Sequence, residues 1–229
     1  MERTTRASPF RFEATVAVAA FLGVSAALAT GLPAALDLPA RDGVLRALPS
    51  RPVRGVAVVA IDEPSLAREG PWPWPRARLA AVADAARAAG ARAVAFDLLL
   101  VAPANDDPVL AASLARIPSL LAAGLDAQAG WLLPSSALRV RPLAQTSFDV
   151  DPDGVARRLG ATKQRDGLSL TALPVAVAAF ARTPAPPVPV GRVLVPDFRC
   201  RPGGVPVGGV STLLEGGGGR VVAGRVALV

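Results

Sequence analysis

A strand, a helix and a second strand follow one another between residues 53 and 100, and together they restrict the fold to a few architectures. Val53–Ile61 and Ala91–Leu100 are mostly apolar, as is typical of parallel strands that are covered on both faces. Pro75–Ala89 carries apolar residues at helical spacing, and Gly90 follows it as a helix stop. The unit predicts parallel strands joined by a right-handed crossover. We therefore expect an α/β fold with a mixed, partly parallel sheet flanked by helices.

The rest of the chain predicts shorter elements around this unit. Glu63–Glu69 predicts a single helical turn, and Asp106 and Asp107 are suited to cap the helix that follows them. Pro174 is expected to kink or divide the start of a later apolar helix. Helices are predicted over Pro108–Arg116 and Leu168–Arg182, and strands over Ser119–Leu125, Gln145–Val150, Val155–Ala161, Val193–Pro196 and Val226–Val229.

Asp149–Gly154 matches the opening of an EF-hand calcium loop. The match fails at the twelfth position, Gly160, where a bidentate glutamate is required. The surrounding residues alternate as in strands, so the segment predicts a hairpin turn and no metal site. A loose calcium site is the alternative.

The residue inventory excludes several kinds of chemistry. The chain of 229 residues has no histidine, and Cys200 is its only cysteine. Ser-His and Cys-His nucleophile pairs, cysteine metal clusters and internal disulfides are therefore absent. The net charge of +7 comes almost wholly from arginine and forms no basic stripe interleaved with aromatics, so we expect no nucleic-acid partner. We also expect no cofactor and no enzymatic activity.

The N-terminal segment predicts a membrane anchor. Ala14–Leu36 has no charged residue and, as a helix, is about 34 Å long, enough to cross a hydrocarbon core of about 30 Å. Arginines precede it, which predicts a cytoplasmic N-terminus. A cleaved signal peptide, with Ala27–Ala29 as the cleavage site, is the alternative. The expected order is a cytoplasmic N-terminus (1–12), a transmembrane helix (13–36), a membrane-proximal helix and linker (37–52), and an extracytoplasmic domain (53–229) of a single-pass protein in the cytoplasmic membrane.

The predicted ligand site lies where the first two strands end. Asp62 and Asp97 each follow a predicted parallel strand. If those strands are neighbours, about 4.8 Å apart, both carboxylates face one crevice, and Glu63 lines the same edge. The alternative is that both aspartates only cap the turns after them. Trp72 and Trp74 either stack on a ligand or form an apolar lid on the sheet edge.

Several segments, taken together, resemble a known family. The segments are Val-Val-Ala-Ile-Asp-Glu-Pro-Ser-Leu (58–66), Trp-Pro-Trp-Pro-Arg (72–76), Ala-Gly-Ala-Arg-Ala-Val-Ala-Phe-Asp (89–97), Asp-Asp-Pro-Val-Leu-Ala (106–111), Asp-Pro-Asp-Gly-Val-Ala-Arg-Arg (151–158) and Gly-Arg-Val-Ala-Leu-Val (224–229). In this order they are similar to the CHASE domain of type two, the cyclases/histidine kinases associated sensory extracellular domain. Trp-Pro-Trp-Pro-Arg is the most specific segment.

The resemblance implies a signal-input domain of a bacterial membrane-bound signalling protein. In that family the domain usually lies between an N-terminal anchor and further transmembrane helices, which lead to an adenylate cyclase, a kinase or a similar output domain. This sequence ends at the last predicted strand, so we expect a sensor domain without its output domain. The expected partners are the cytoplasmic membrane, an extracytoplasmic ligand, and a homodimer or a signalling partner protein. The alternative function is an exported structural or dimerisation module that binds no small molecule.

Overall fold

The computed structural model describes residues 9–29, 32–138, 142–151, 153–181, 191–196 and 199–229. The chain divides into two compact units, residues 1–49 and 50–229. The first unit contains helices α1 (Pro9–Ala29) and α2 (Leu32–Ala47), so the predicted transmembrane segment 13–36 falls partly on each. Among the described residues, no helix combines the length and the apolarity that crossing a membrane requires.

The second unit is a sheet with helices on both faces. Its strands are β1 (Val56–Ala60), β2 (Ala93–Phe96), β3 (Ser119–Leu125), β4 (Trp131–Leu132), β5 (Leu143–Gln145), β6 (Leu159–Gly160), β7 (Thr162–Arg165), β8 (Leu168–Ala172), β9 (Val193–Leu194), β10 (Val207–Gly209) and β11 (Val226–Leu228). Its helices are α3 (Glu63–Glu69), α4 (Arg76–Ala88), α5 (Asp107–Leu114), α6 (Leu173–Ala181), α7 (Val210–Leu214) and α8 (Gly219–Val222), with a 3₁₀ turn at Ser136–Leu138.

Among the described residues, the main sheet has nine strands, and most of its strand pairs are parallel. The order is β10-β1-β11-β2-β3-β5-β8-β7, with β4 added beside β3. The β7–β8 and β3–β4 pairs of this sheet are antiparallel, and β6 and β9 form a separate antiparallel pair. The expected α/β fold with a mixed, partly parallel sheet is confirmed.

The first two strands are parallel but are not neighbours. Strand β11 lies between them, with Leu228 level with Val58 on one side and with Ala95 on the other. The premise that the strands before Asp62 and Asp97 pair directly is therefore wrong. The last strand of the chain returns to the middle of the sheet, where its two buried faces contribute to both cores.

Each face of the sheet has its own core. Because successive strand residues point to opposite faces, adjacent residues of one strand belong to different cores. The larger core packs the sheet against α4, α5 and α7 and includes Ala57, Val59, Phe96, Leu121, Leu79, Leu110 and Val210. The smaller core packs the sheet against α6 and includes Ala93, Ala95, Leu120, Ala144, Val226, Leu173 and Val177. In the described part of the chain, α6 is the helix that covers this second face.

The segment predicted as one helix over Leu168–Arg182 begins as a strand. Residues 168–172 form β8, which pairs with β7, and α6 starts only at Leu173. The two strands are joined by Asp166 and Gly167, both with positive φ (51° and 76°), a backbone that suits a tight hairpin. The hairpin places β7 at the sheet edge and β8 between β7 and β5, and α6 then crosses the sheet face.

Candidate ligand-binding site

Asp62 is the N-cap of α3. Its Oδ1 accepts a hydrogen bond from the backbone N–H of Ser65 at 3.0 Å and another from the Ser65 hydroxyl. The Ser65 oxygen in turn accepts the backbone N–H of Ser211 at 3.0 Å, at the start of α7. The side-chain hydrogen bond from Ser65 holds the pKa of Asp62 below its ordinary value. A Cβ at Gly209 would come within 2.8 Å of Asp62 Oδ2, so the carboxylate lies tightly against β10.

The two tryptophans have different environments. Trp74 is buried, and its Nε1 donates a 2.7 Å hydrogen bond to the Gly70 carbonyl. Trp72 is 44% exposed, with its ring centroid 6.0 Å from that of Trp74 and the planes tilted by 59°. Trp74 is therefore a core residue that anchors the segment, while Trp72 presents its ring to solvent. Glu63 is exposed in the first turn of α3, where a carboxylate favours the helix N-terminus.

Arg76 and Asp107 join the two motif segments at the carboxyl end of the sheet. Arg76 Nε donates to Asp107 Oδ1 at 3.0 Å, and its Nη2 donates to the Ala102 carbonyl at 2.9 Å. Asp107 is only 2% exposed and also accepts the Ser135 hydroxyl and the Ala104 N–H. Burial raises the pKa of Asp107, but these hydrogen bonds and the Arg76 charge outweigh it and lower the pKa overall. Sequence reasoning treated Asp107 as a cap and did not predict this ion pair.

The aspartates of the EF-hand-like segment bind arginines. Arg157 is 5% exposed and donates to both oxygens of Asp153, at 2.9 and 2.7 Å, and to Asp151 at 3.2 Å. Arg158 also pairs with Asp151. Hydrogen bonds from Arg158 and Arg157 lower the pKa of Asp151, and those from Arg157 lower the pKa of Asp153. An isolated antiparallel bridge between Asp149 and Arg158, with the Asp151 N–H donating to the Val155 carbonyl, bears out the predicted turn. The strands predicted on its two sides are wrong over most of their length, because β5 ends at Gln145 and β6 covers only Leu159–Gly160 and pairs with β9.

Arg157 and Arg158 therefore bind the same carboxylates, those of Asp151 and Asp153, that a calcium ion would need as ligands. Within the part of the chain that the structure describes, no group of three or more candidate metal ligands is present.

A pocket of about 750 Å³ lies on the α6 face of the sheet, and we call it the α6 pocket. Its volume is within the range of sites for small molecules. Its lining is mainly apolar. The lining residues are Pro52, Val53, Arg54, Gly55, Val56, Asp97, Thr146, Phe148, Leu173, Pro174, Val177, Ala178, Ala181 and Leu228. These residues come from the amino end of β1, the carboxyl ends of β2, β5 and β11, and one side of α6.

Asp97 provides the negative charge of the α6 pocket. Ala93 and Ala95 of β2 face α6, and Asp97 continues this alternation beyond the end of the strand. Its backbone N–H donates to the Val229 carbonyl at 2.8 Å. In the described part of the chain, no group donates a hydrogen bond to its carboxylate. The side chain is more than a third exposed, yet partial burial beside apolar walls raises the pKa of Asp97 above its ordinary value.

The structure does not bring the predicted site residues together. Only Asp97 lines the α6 pocket, whereas Asp62, Glu63, Trp72 and Trp74 do not. One intervening strand separates the strand before Asp62 from the strand before Asp97, a lateral distance of roughly 10 Å. The pocket itself was missed, because its walls come from segments that are far apart in the sequence.

The second unit is thus an α/β domain with a pocket of small-molecule size on one face of its sheet. The family comparison matches the CHASE2 domain over residues 16–218. The chain belongs to the CHASE2 domain family, whose members are sensory extracellular domains and not catalytic ones. The resemblance drawn from the motif segments is thereby confirmed. No curated protein and no solved structure matches the chain.

Proposed function

We propose that this chain is the extracytoplasmic signal-input domain of a bacterial membrane-bound signalling protein, of the kind linked to adenylate cyclases or kinases. Its input is a small ligand bound in the α6 pocket. The observation that carries this proposal is a ligand-sized apolar pocket whose carboxylate has no partner among the described residues, in a family of sensory domains. A ligand that prefers one of two conformations of α6 would shift the population of that conformation and so transmit the signal.

Residues 13–36 are proposed as the membrane anchor of this protein. The support is the uncharged run Ala14–Leu36 and a family match that begins at residue 16, so the apolar segment belongs to the matched region. Alkaline carbonate extraction of expressed full-length chain tests the anchor, with mass spectrometry of its N-terminus. We expect uncleaved chain in the membrane pellet. A mature chain that starts at Thr30 would instead identify a signal peptide.

A pocket-filling variant tests ligand binding. Ala178 is half-buried on the pocket side of α6, so Ala178→Phe inserts a ring into the pocket with little disturbance of the core. Ala112→Phe on α5 is the control, because Ala112 is an exposed helical alanine away from the pocket. In a thermal-shift screen of small molecules, hits should stabilise the wild type and Ala112→Phe and fail to stabilise Ala178→Phe.

Two results contradict the proposal. Hits that stabilise Ala178→Phe as well as the wild type bind elsewhere on the protein. A chain that elutes as a dimer in size-exclusion chromatography and responds to no ligand supports the alternative, a structural or dimerisation module.

A further inference from the structure

The polar side chains at the carboxyl end of the α6 pocket, those of Asp97 and Thr146, are hydrogen-bond acceptors. Asp97 presents a carboxylate, and in the described part of the chain no group donates to it. Thr146 already donates its hydroxyl hydrogen to the Ala123 carbonyl, at 3.4 Å. The Thr146 oxygen therefore offers the pocket lone pairs but no proton. A ligand group that binds at this end must itself be a donor.

The positive charge of the pocket is at its other end. Strand registers place Asp97 level with Ala60, because Leu228 pairs with both Val58 and Ala95. Val56 is four residues further toward the amino end, about 13 Å along the strand direction. Arg54 precedes Val56, at the amino end of the sheet. Arg54 therefore lies at the opposite end of the pocket from Asp97, and among the described residues no ion pair joins the two.

The middle of the pocket is apolar. Its floor is formed by Val56 and Leu228 of the sheet, and its wall by Leu173, Val177 and Ala181 of α6. Such a surface favours an alkyl or aryl body, whereas a sugar or another polyhydroxyl compound would have hydroxyls without partners there. Partial burial raises the pKa of the Asp97 carboxyl, and an incoming cation would relieve that unfavourable environment.

The geometry points to an amphipathic organic cation as the ligand of the α6 pocket: a protonated amine on Asp97 with an apolar body along α6. This inference rests on the proposed function, since it assumes that the α6 pocket is the ligand site. It names the chemical class of the ligand, not a particular compound.

A matched trio of probes tests the inference. The probes 4-phenylbutylamine, 4-phenylbutanol and 4-phenylbutanoate share one body and carry a cationic, a neutral and an anionic head. Each is titrated calorimetrically into the full chain in lipid nanodiscs, with empty nanodiscs as the reference. We expect the amine to bind about tenfold more tightly than the alcohol, as one charge-assisted hydrogen bond provides, and the anion to show no binding.

Two variants locate the effect. Asp97→Asn keeps the size of the side chain and should reduce the affinity of the amine to that of the alcohol, whose own affinity is unchanged. Ala178→Phe should abolish binding of the amine and the alcohol. Circular dichroism confirms that each variant is folded before the titrations.

The outcomes separate this inference from the proposed function. Equal binding of the amine and the anion, binding of the amine that Asp97→Asn does not change, or no binding of any probe would overturn the inference. The proposed function would still stand if another class of ligand stabilises the wild type and not Ala178→Phe. It fails if no ligand response depends on Ala178.

Discussion

Two aspartates with the same sequence context have opposite electrostatic environments. Asp62 and Asp97 each follow an apolar parallel strand, and the sequence predicted either one shared crevice, if those strands were neighbours, or two caps of the turns that follow. In the structure, Ser65 lowers the pKa of Asp62 by hydrogen bonding, whereas burial raises the pKa of Asp97. Hydrogen-bond donors thus stabilise the charge of Asp62. Among the described residues, no donor does the same for the charge of Asp97. The first is a structural cap, and the second is the group that we propose as the ligand contact.

Thermal unfolding at pH 7 distinguishes the two roles. Asp62→Ala removes the α3 cap and should lower Tm by roughly 2–4 °C. Asp97→Asn removes an unfavourably placed charge and should raise Tm slightly, by no more than about 2 °C, because the exposed side chain is screened by solvent. A fall in Tm for Asp97→Asn similar to that for Asp62→Ala would show that Asp97 is also a structural cap.

The contributions of Asp62 and Asp97 to the free energy of unfolding depend on pH with opposite signs. The native pKa of Asp62 is below 3.8, so its stabilisation is present above pH 3.8 and is lost as pH falls through the native pKa. The native pKa of Asp97 is above 3.8, so the native state binds the proton more tightly, and stability decreases as pH rises through that range. Once the pH has fallen below the native pKa values of both groups, each variant should approach the wild type in its pH-dependent contribution.

At the level of helices and strands, the segments 72–76 and 106–111 contact each other at the carboxyl end of the sheet. The buried pair Arg76–Asp107 fixes the start of α4 to the start of α5, and the Ala77 N–H donates to Asp106 at 2.8 Å. The sequence identified both segments but did not predict that they meet. The β7–β8 hairpin was missed for a local reason: Asp166-Gly167 is a turn signal, yet the apolar run after it was assigned to a helix.

The Arg76–Asp107 pair should dominate the stability of this contact. Arg76→Ala leaves a buried carboxylate without its cation and should reduce the free energy of unfolding by about 3–5 kcal/mol. Arg68→Ala is the control, because the Arg68–Glu215 pair is more than half exposed on both sides, and its loss should cost less than about 1 kcal/mol. Urea unfolding of both variants provides the comparison.

Equal losses for Arg76→Ala and Arg68→Ala would contradict this account of the carboxyl edge. A double variant, Arg76→Ala with Asp107→Asn, should recover part of the loss, since it also removes the unpaired charge.

At the scale of the whole molecule, local patterns predicted the class of fold but not the order of strands. Apolar strands and an intervening amphipathic helix were sufficient to indicate an α/β sheet. The insertion of β11 between β1 and β2 depends on pairing between strands that are far apart in the sequence, which no local pattern predicts. The α6 pocket likewise forms from segments that are far apart in the sequence, so residue patterns could not predict it. They did identify Asp97 as a candidate site residue.

We propose that the ligand binds on the α6 face and not at the edge around Asp62 and Trp72. Hydrogen–deuterium exchange of the full chain, with and without 4-phenylbutylamine, distinguishes the two locations. We expect protection in α6 and in the segments around Asp97 and Phe148, with no change over residues 62–74. Protection confined to residues 62–74 would contradict it and would place the ligand at the edge that the sequence first suggested.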